Sequence, residues 1–226
     1  MSASADEQPI RPALRRPAPI VAISATYGAG GAQVGEHVAR VLGVPFLAHT
    51  FSSEEMVRAR QARGEQPQAS AYLRHRARGD MAWDDSAARE IVTELESRSF
   101  FDESDAEVLA LLETGGVVVG RAGPYVLRDE PGVLHALLDG PREARIAAGA
   151  ALEGVDREEA VRRQLAHDAS RIGIARLHYG VDPNEVRFYQ MQLDSTALGL
   201  EAVVEILVIA ARACHAAAVA DPGADS

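Results

Sequence analysis

Short, continuous apolar runs alternate along the chain with segments in which apolar residues recur every three to four positions. The first run, residues 19–24, has the length and the flanking turn residues that are typical of a strand buried on both faces. A glycine-rich turn follows at 25–31, and the apolar spacing over 34–42 predicts an amphipathic helix that ends at Gly43. Residues 44–47 form a second short run. The pattern therefore predicts a βαβ unit.

The same alternation continues to the end of the chain. Further strands are predicted at 117–119, 133–138 and 189–193, and a last helix at 199–219. Residues 52–112 have a helical pattern with breaks, one of them near 100–104, whereas the charged segment 154–187 is expected to be irregular helix and loop. Strands that alternate with helices predict an α/β fold of three layers, with helices on both faces of a parallel sheet.

The pattern predicts one domain, with no internal repeat and no clear linker. This domain spans residues 19–219. Residues 1–18 are rich in proline and arginine and lack an apolar core, so we expect a disordered tail rather than a secretion signal. Residues 220–226 are expected to be a flexible tail.

A parallel sheet also predicts where function is located, because ligands bind beyond the carboxyl ends of its strands. The segments that follow the predicted strands are residues 25–31, 48–51, 120–121 and 139–142. Candidate chemistry is therefore sought in these four segments.

Composition narrows the possible chemistry. The chain has 226 residues, of which 47% are hydrophobic and 5% aromatic, so alanine, valine and leucine must fill the core. All of its 23 basic residues are arginine, and this excludes any mechanism that needs a lysine. The net charge of −10 disfavours a general binder of nucleic acid or of an anionic membrane. No run approaches the length of about 18 consecutive apolar residues that a membrane span requires.

The glycine loop between the first strand and the first helix is the strongest local signal. Backbone amides at such a position can bind a phosphate, although a tight strand-to-helix turn is the alternative explanation. In the standard phosphate-loop pattern, Ala25 and Gly30 take the two glycine positions, Gly31 the lysine and Ala32 the hydroxyl. Either an arginine substitutes for the lysine, or the loop binds nucleotide weakly, or it no longer binds one.

Several motifs together resemble the cytidylate kinase-like family, a branch of the P-loop nucleoside monophosphate kinases. They are I-S-A-T-Y-G-A-G-G at 23–31, L-G-V-P-F at 42–46, V-V-G-R-A-G-P-Y-V-L-R-D at 118–129, D-A-S-R at 168–171, and D-P at 182–183 followed by Tyr189. The resemblance covers about residues 20–210 and depends on the order and spacing of the motifs. The family loop also carries glycine where the usual lysine stands. This chain differs from the family at Ala25, Thr26, Ala32 and Ala48.

The resemblance implies a P-loop kinase-like domain with a helical insert at 52–112 and a lid at 154–187. It implies transfer of a phosphoryl group from ATP, with Mg²⁺, to a small acceptor such as a nucleoside monophosphate. The residues implied to bind nucleotide or phosphate are Tyr27, Gly28, Ala29, Gly30, Gly31, Ala32, Gln33 and Arg176, and those implied to be catalytic are Arg121, Arg171 and Asp168. The alternative function is a catalytically weak or inactive nucleotide-binding or regulatory module.

The implied roles have structural alternatives. Arg121 could form a salt bridge or cap a helix, and Arg171 and Arg176 could belong to a solvated helix face. Asp168 could hold magnesium through water, orient Arg171, or form an ordinary ion pair with it.

The remaining features give weaker signals. The seven histidines have no spacing typical of a metal site, so no metal ligands are predicted. The single cysteine, Cys214, fits a reduced cytoplasmic compartment. Trp83 is expected to pack against other side chains. The arginines at 58–78 are expected to form a solvated helix face. A homo-oligomer is a further possibility.

Overall fold

The computed structural model of the protein describes residues 17–48 and 98–220. Residues 1–16 and 221–226 of the predicted tails, Trp83, the arginines at 58–78 and most of the helical insert lie outside the described residues. Within the insert, only the part from residue 98 onward is described.

Within the described ranges, five strands form one sheet in the order β2-β3-β1-β4-β5, and every pairing is parallel. The strands are β1 (Ile20–Ala25), β2 (Phe46–Leu47), β3 (Gly116–Val119), β4 (Val133–Asp139) and β5 (Met191–Asp194). β1 lies at the centre, and its Ile23 stands opposite Val119 on one side and Ala136 on the other. The carboxyl ends of β1, β3 and β4 therefore lie side by side.

Helices cover both faces of the sheet. In chain order they are α1 (Gly31–Leu42), α2 (Arg98–Thr114), α3 (Gly123–Val126), α4 (Arg142–Glu153), α5 (Arg157–Tyr179), α6 (Ser195–Leu198) and α7 (Leu200–Ala220), with a 3₁₀ turn at Val186–Phe188. One apolar cluster joins β1 to α1 and α7 through Ile23, Val34 and Leu207, and another joins its opposite face to α2 through Ala22 and Val108. This confirms the predicted three-layer α/β fold and the burial of β1 on both faces.

The structure corrects two local expectations. The segment predicted to be irregular contains α5, a continuous helix of 23 residues. Asp156 caps its first turn by accepting from the Glu159 amide at 2.8 Å. Ion pairs one turn apart, such as Glu159 with Arg163 at 2.8 Å, support it further along. The break expected near 100–104 is also absent, because α2 runs without interruption across these residues.

Helix α7 is the one described helix that is long and apolar enough to cross a membrane, judged by length and composition alone. Its mean hydropathy is 1.9, and 28% of the apolar window is buried. Val203, Leu207 and Ala211 on this helix belong to the core beneath the sheet. Core helices of soluble proteins give the same signal, which is therefore weak.

Candidate phosphate-binding site

The glycine loop makes two close approaches to the rest of the protein. Gly28 and Gly30 have φ values of +76° and +71°, the left-handed region that favours glycine. A Cβ atom at Gly28 would stand 1.8 Å from the carbonyl oxygen of Arg145 on α4, and one at Gly30 would stand 2.5 Å from Cδ2 of Leu200 on α7. Packing against backbone therefore requires glycine at position 28, whereas glycine at position 30 is favoured by its left-handed backbone. The tight strand-to-helix turn is present.

The same turn leaves backbone donors at the start of α1. Some loop amides are used inside the protein: Thr26 N donates to Leu138 O, Ala29 N to Thr26 O, and Tyr27 N to Asp168 Oδ1. The amides of Gly28, Gly30 and residues 31–33 donate to no acceptor in the described part of the chain. Unpaired amides at a helix N-terminus, together with the helix dipole, favour an anion.

Gly31, at the position of the usual lysine, has no room for a side chain. A Cβ atom there would stand 2.5 Å from Cβ of Ala25 and 3.3 Å from Cγ1 of Val119. Ala32 is exposed and offers no hydroxyl. Binding of a phosphate at this loop would therefore depend on backbone amides.

Asp168 lies against the loop rather than on an open face. Its side chain is 7% exposed. Its Oδ1 accepts from Tyr27 N at 2.9 Å, and its Oδ2 accepts from Arg145 Nη1 at 3.1 Å and from Gln164 Nε2 at 2.8 Å. Burial raises the pKa of Asp168, but His167, whose Nδ1 lies 3.5 Å from Oδ1, and the charge of Arg145 outweigh this effect and hold the pKa well below its usual range. Asp168 therefore pairs with Arg145, and the alternative of an ordinary ion pair with Arg171 is not formed.

Arg145 is the site residue that sequence reasoning missed. Its side chain is 2% exposed, and Nη1 donates to Tyr27 O at 3.0 Å. Its Nε donates to Gly140 O at 3.0 Å and lies 3.2 Å from Asp139 Oδ1. The available signal was its position one turn into the helix that follows β4, at the carboxyl edge of the sheet.

The Tyr27 side chain is structural. Its ring packs on Gly149, where a Cβ atom would stand 2.3 Å from Cε1, and its hydroxyl donates to Glu153 at 3.2 Å. Burial is the main cause that raises its pKa above the usual range. Ala29 is held from the other side, because Ser195 Oγ donates to its carbonyl at 2.8 Å. These contacts leave backbone atoms as the loop's functional groups.

Arg171 lies at the carboxyl end of β1. Its Nε donates to Ser24 Oγ at 2.9 Å, Nη2 to Pro183 O at 2.7 Å, and Nη1 to Asn184 Oδ1 at 3.0 Å. Arg176, further along α5, donates to Asp182 Oδ2 at 2.9 Å. The alternative of a solvated helix face is therefore wrong for Arg171, whose guanidinium is anchored between the sheet and the segment after α5.

A buried aromatic group lies next to Arg171. The hydroxyls of Tyr125 and Tyr189 are 3.0 Å apart, and Tyr189 donates to Pro183 O at 2.8 Å, the carbonyl that also accepts from Arg171. Burial is the main cause that raises the pKa of Tyr125 above its usual range. The Phe188 ring lies edge-on to Tyr125, with centroids 5.5 Å apart.

Arg121 follows β3 in a strained turn. Gly120, Arg121 and Ala122 have φ values of +72°, +49° and +52° in succession. A non-glycine residue in this region costs about 1–2 kcal/mol, and such strain is concentrated at functional sites. Arg121 Nε donates to Ala48 O at 2.7 Å, and Nη1 forms an ion pair with Glu107. The salt bridge weighed as an alternative is therefore present, at the same edge of the sheet as the glycine loop.

The parallel sheet and the glycine loop between β1 and α1 define a kinase-like nucleotide-binding α/β fold. Residues 20–197 match the model of the cytidylate kinase-like family. The chain belongs to this family, as the motifs predicted.

One of three similar solved structures supports the fold by its TM-score. A protein of Eubacterium ventriosum, described as uncharacterized, has a TM-score of 0.55 and 17% identity over 84% of this chain and 96% of its own. A gluconokinase from Sinorhizobium meliloti has a TM-score of 0.45 and 18% identity over 92% and 97%. A shikimate kinase from Acinetobacter baumannii, in complex with shikimate, has a TM-score of 0.39 and 13% identity over 86% and 95%. No curated protein matches the sequence.

The two cofactors that the family implies fit this loop unequally. The phosphates of ATP match a turn with glycine at 28, 30 and 31 and with amides that have no acceptor in the described protein. Mg²⁺ is matched less well, because Ala32 lacks the usual hydroxyl. The described residues also contain no group of three or more histidine, cysteine, aspartate or glutamate side chains that could hold a metal ion.

Proposed function

We propose that this protein is a nucleotide-binding phosphotransferase that transfers a phosphoryl group from ATP to a small acceptor such as a nucleoside monophosphate. The observation that carries the proposal is the set of amides at Gly28, Gly30 and residues 31–33 that have no acceptor in the described part of the chain, at the N-terminus of α1 and just before it. Membership of the cytidylate kinase-like family supports the same reaction class.

The proposed roles follow from position. The backbone of residues 27–33, together with Arg176 of α5, would bind the nucleotide phosphates. Arg121 and Arg171 lie at the carboxyl ends of β3 and β1 and would offset the charge of the transferred group. Since the chain supplies no P-loop lysine or hydroxyl, Mg²⁺ would be held mainly by the nucleotide phosphates, as is common for this ion.

The test is a single-turnover assay with Mg-ATP and a panel of nucleoside monophosphates. The proposal predicts transfer to at least one acceptor, and slower transfer in Arg121→Ala and Arg171→Ala. Arg128→Ala is the matched control, because Arg128 is exposed and pairs only with its neighbour Asp129 among the described residues. Absence of transfer to every acceptor would contradict the catalytic proposal, and full rates in both variants would contradict the assigned roles.

A second candidate is a module that binds nucleotide without turnover. It is favoured by the missing lysine and hydroxyl at Gly31 and Ala32, and by protein partners that already hold the guanidinium groups of Arg121 and Arg171. ATP binding in calorimetry, combined with no transfer to any acceptor, would support this candidate. Measurable turnover would exclude it.

We further propose a cytoplasmic protein without nucleic-acid or membrane partners. The acidic net charge of −10 and the single cysteine support this. A homo-oligomer is compatible with this assignment, and light scattering of the full chain decides its state.

A further inference from the structure

Tyr27 in the glycine loop is held through both of its backbone polar groups. Its amide donates to Asp168 Oδ1 at 2.9 Å, and its carbonyl accepts from Arg145 Nη1 at 3.0 Å. Arg145 and Asp168 are themselves joined by an ion pair of 3.1 Å, and their side chains are 2% and 7% exposed. Tyr27, Asp168 and Arg145 thus form a closed, buried ring, which we call the loop clamp.

The loop clamp attaches α5 to the loop, and a second contact attaches it to β1. Asp168 and Arg171 are three positions apart and therefore lie on one face of the helix. Arg171 binds Ser24 Oγ at 2.9 Å, near the end of the strand that leads into the loop. Helix α5 is thereby fixed across the carboxyl end of β1 at two points.

The groups around position 168 require a side chain with two hydrogen-bond acceptor atoms, which a carboxylate provides. Three hydrogen bonds reach the two carboxylate oxygens, and their donors are Tyr27 N, Arg145 Nη1 and Gln164 Nε2. An asparagine would present its own amide hydrogens to at least one of these donors in either orientation. Asp168 also places a negative charge beside a loop that would bind an anion, and Arg145 compensates that charge.

We propose that Asp168 and Arg145 are positioning residues that set the course of the glycine loop and so direct its amides at a bound phosphate. This inference rests on the proposed function and deepens it. Since position 31 has no room for a lysine, no mobile ammonium can compensate for a displaced loop. Affinity for phosphate therefore depends on amide directions, which follow the backbone at Tyr27.

The charges predict a non-additive effect. Arg145→Met leaves the Asp168 carboxylate buried without its cation and beside the phosphate site, whereas Arg145→Met combined with Asp168→Leu removes both charges. Nucleotide affinity should therefore be lower in the single variant than in the double variant. A merely structural role would weaken folding in both variants without this order of affinities.

The test uses the full chain with Asp168→Asn, the two Arg145 variants and Leu111→Ala. Leu111 is a control for lost stability, because it is buried on α2 in the cluster on the other side of the sheet. ATP affinity is measured by calorimetry, and amide hydrogen exchange of the loop peptide is measured without nucleotide. We expect faster loop exchange and an affinity loss of about tenfold or more in Asp168→Asn, and neither change in Leu111→Ala. Should Asp168→Asn not fold, Gln164→Met removes one donor to Asp168 and should give an intermediate increase in exchange.

The two readouts separate the two proposals. A wild type that does not bind ATP contradicts the proposed function, while loop exchange still decides the loop clamp. Unchanged loop exchange in Asp168→Asn, or in Gln164→Met if only that variant folds, would overturn the loop clamp. So would ATP affinity in Arg145→Met that equals or exceeds that of the double variant.

Discussion

Replacement of Gly28 by alanine should destabilise the protein more than the same replacement at Gly43. The backbone at both glycines lies in the left-handed region, with φ values of +76° at Gly28 and +69° at Gly43. An alanine in this region costs about 1–2 kcal/mol. At Gly43 no atom lies within 4 Å of the added Cβ, so no steric clash adds to this cost. At Gly28 the Cβ would stand 1.8 Å from the Arg145 carbonyl oxygen, which is backbone and cannot rotate away.

Relief of that clash requires the loop and α4 to separate. Overpacking of this kind typically costs about 1–3 kcal/mol, so the total loss at Gly28 is about 2–5 kcal/mol against about 1–2 kcal/mol at Gly43. Urea denaturation of both variants, with the slopes compared, measures the difference directly. ATP affinity should also fall in Gly28→Ala and be retained in Gly43→Ala. Equal losses of stability at the two positions would refute the close packing of the loop on α4.

Two further predictions concern Gly31, which stands where a phosphate loop usually has lysine, and a buried histidine. Gly31→Lys should not restore a working phosphate loop and should lower the free energy of unfolding by about 1–3 kcal/mol, because its Cβ would stand 2.5 Å from Cβ of Ala25; faster phosphoryl transfer in this variant would contradict the geometry. Burial lowers the pKa of His135 from its ordinary 6.5 to about 4, with a backbone hydrogen bond to Leu127 opposing the shift. The unfolded chain therefore binds the proton first as pH falls, so stability is lost between about pH 6.5 and 4, by up to about 3 kcal/mol. Denaturation at pH 7 and pH 4.5 measures this loss, and His135→Leu should remove most of it; an equal loss in that variant would show that other groups cause it.

The part of the site built from neighbouring residues could be predicted from the sequence. β1, the glycine loop and α1 follow one another along the chain, and each has its own local signal: an apolar run, glycines at a turn, and helical spacing. The structure confirms this unit, with β1 at Ile20–Ala25 and α1 at Gly31–Leu42. The order of the later motifs was enough to indicate the family.

The loop clamp could not be predicted, because its partners are distant in sequence. Tyr27 lies 118 positions from Arg145 and 141 from Asp168, and no local pattern shows that these residues meet. The sequence pattern also fails to predict that α5 is a continuous helix, because the contacts that bury it are distant in sequence. Its buried positions include Ala160, Gln164 and Asp168, which are small or polar, so no apolar stripe marks the face that packs.

The proposed function depends on the amides at the start of α1 that have no acceptor in the described part of the chain, which would bind the phosphates of a nucleotide. The most direct measurement compares the ATP affinity of the wild type with those of Ala32→Asp and His37→Asp. Both positions are exposed on α1, and both substitutions add one negative charge to the helix at neutral pH. The carboxylate introduced by Ala32→Asp lies in the first turn of α1. The helix dipole stabilises a negative charge there, but this charge repels a bound phosphate.

We expect ATP binding by the wild type, similar binding by His37→Asp, and an affinity lowered at least about tenfold in a fully folded Ala32→Asp. A wild type that does not bind ATP, or an Ala32→Asp variant that binds ATP as tightly as the wild type, would contradict the proposed phosphate site.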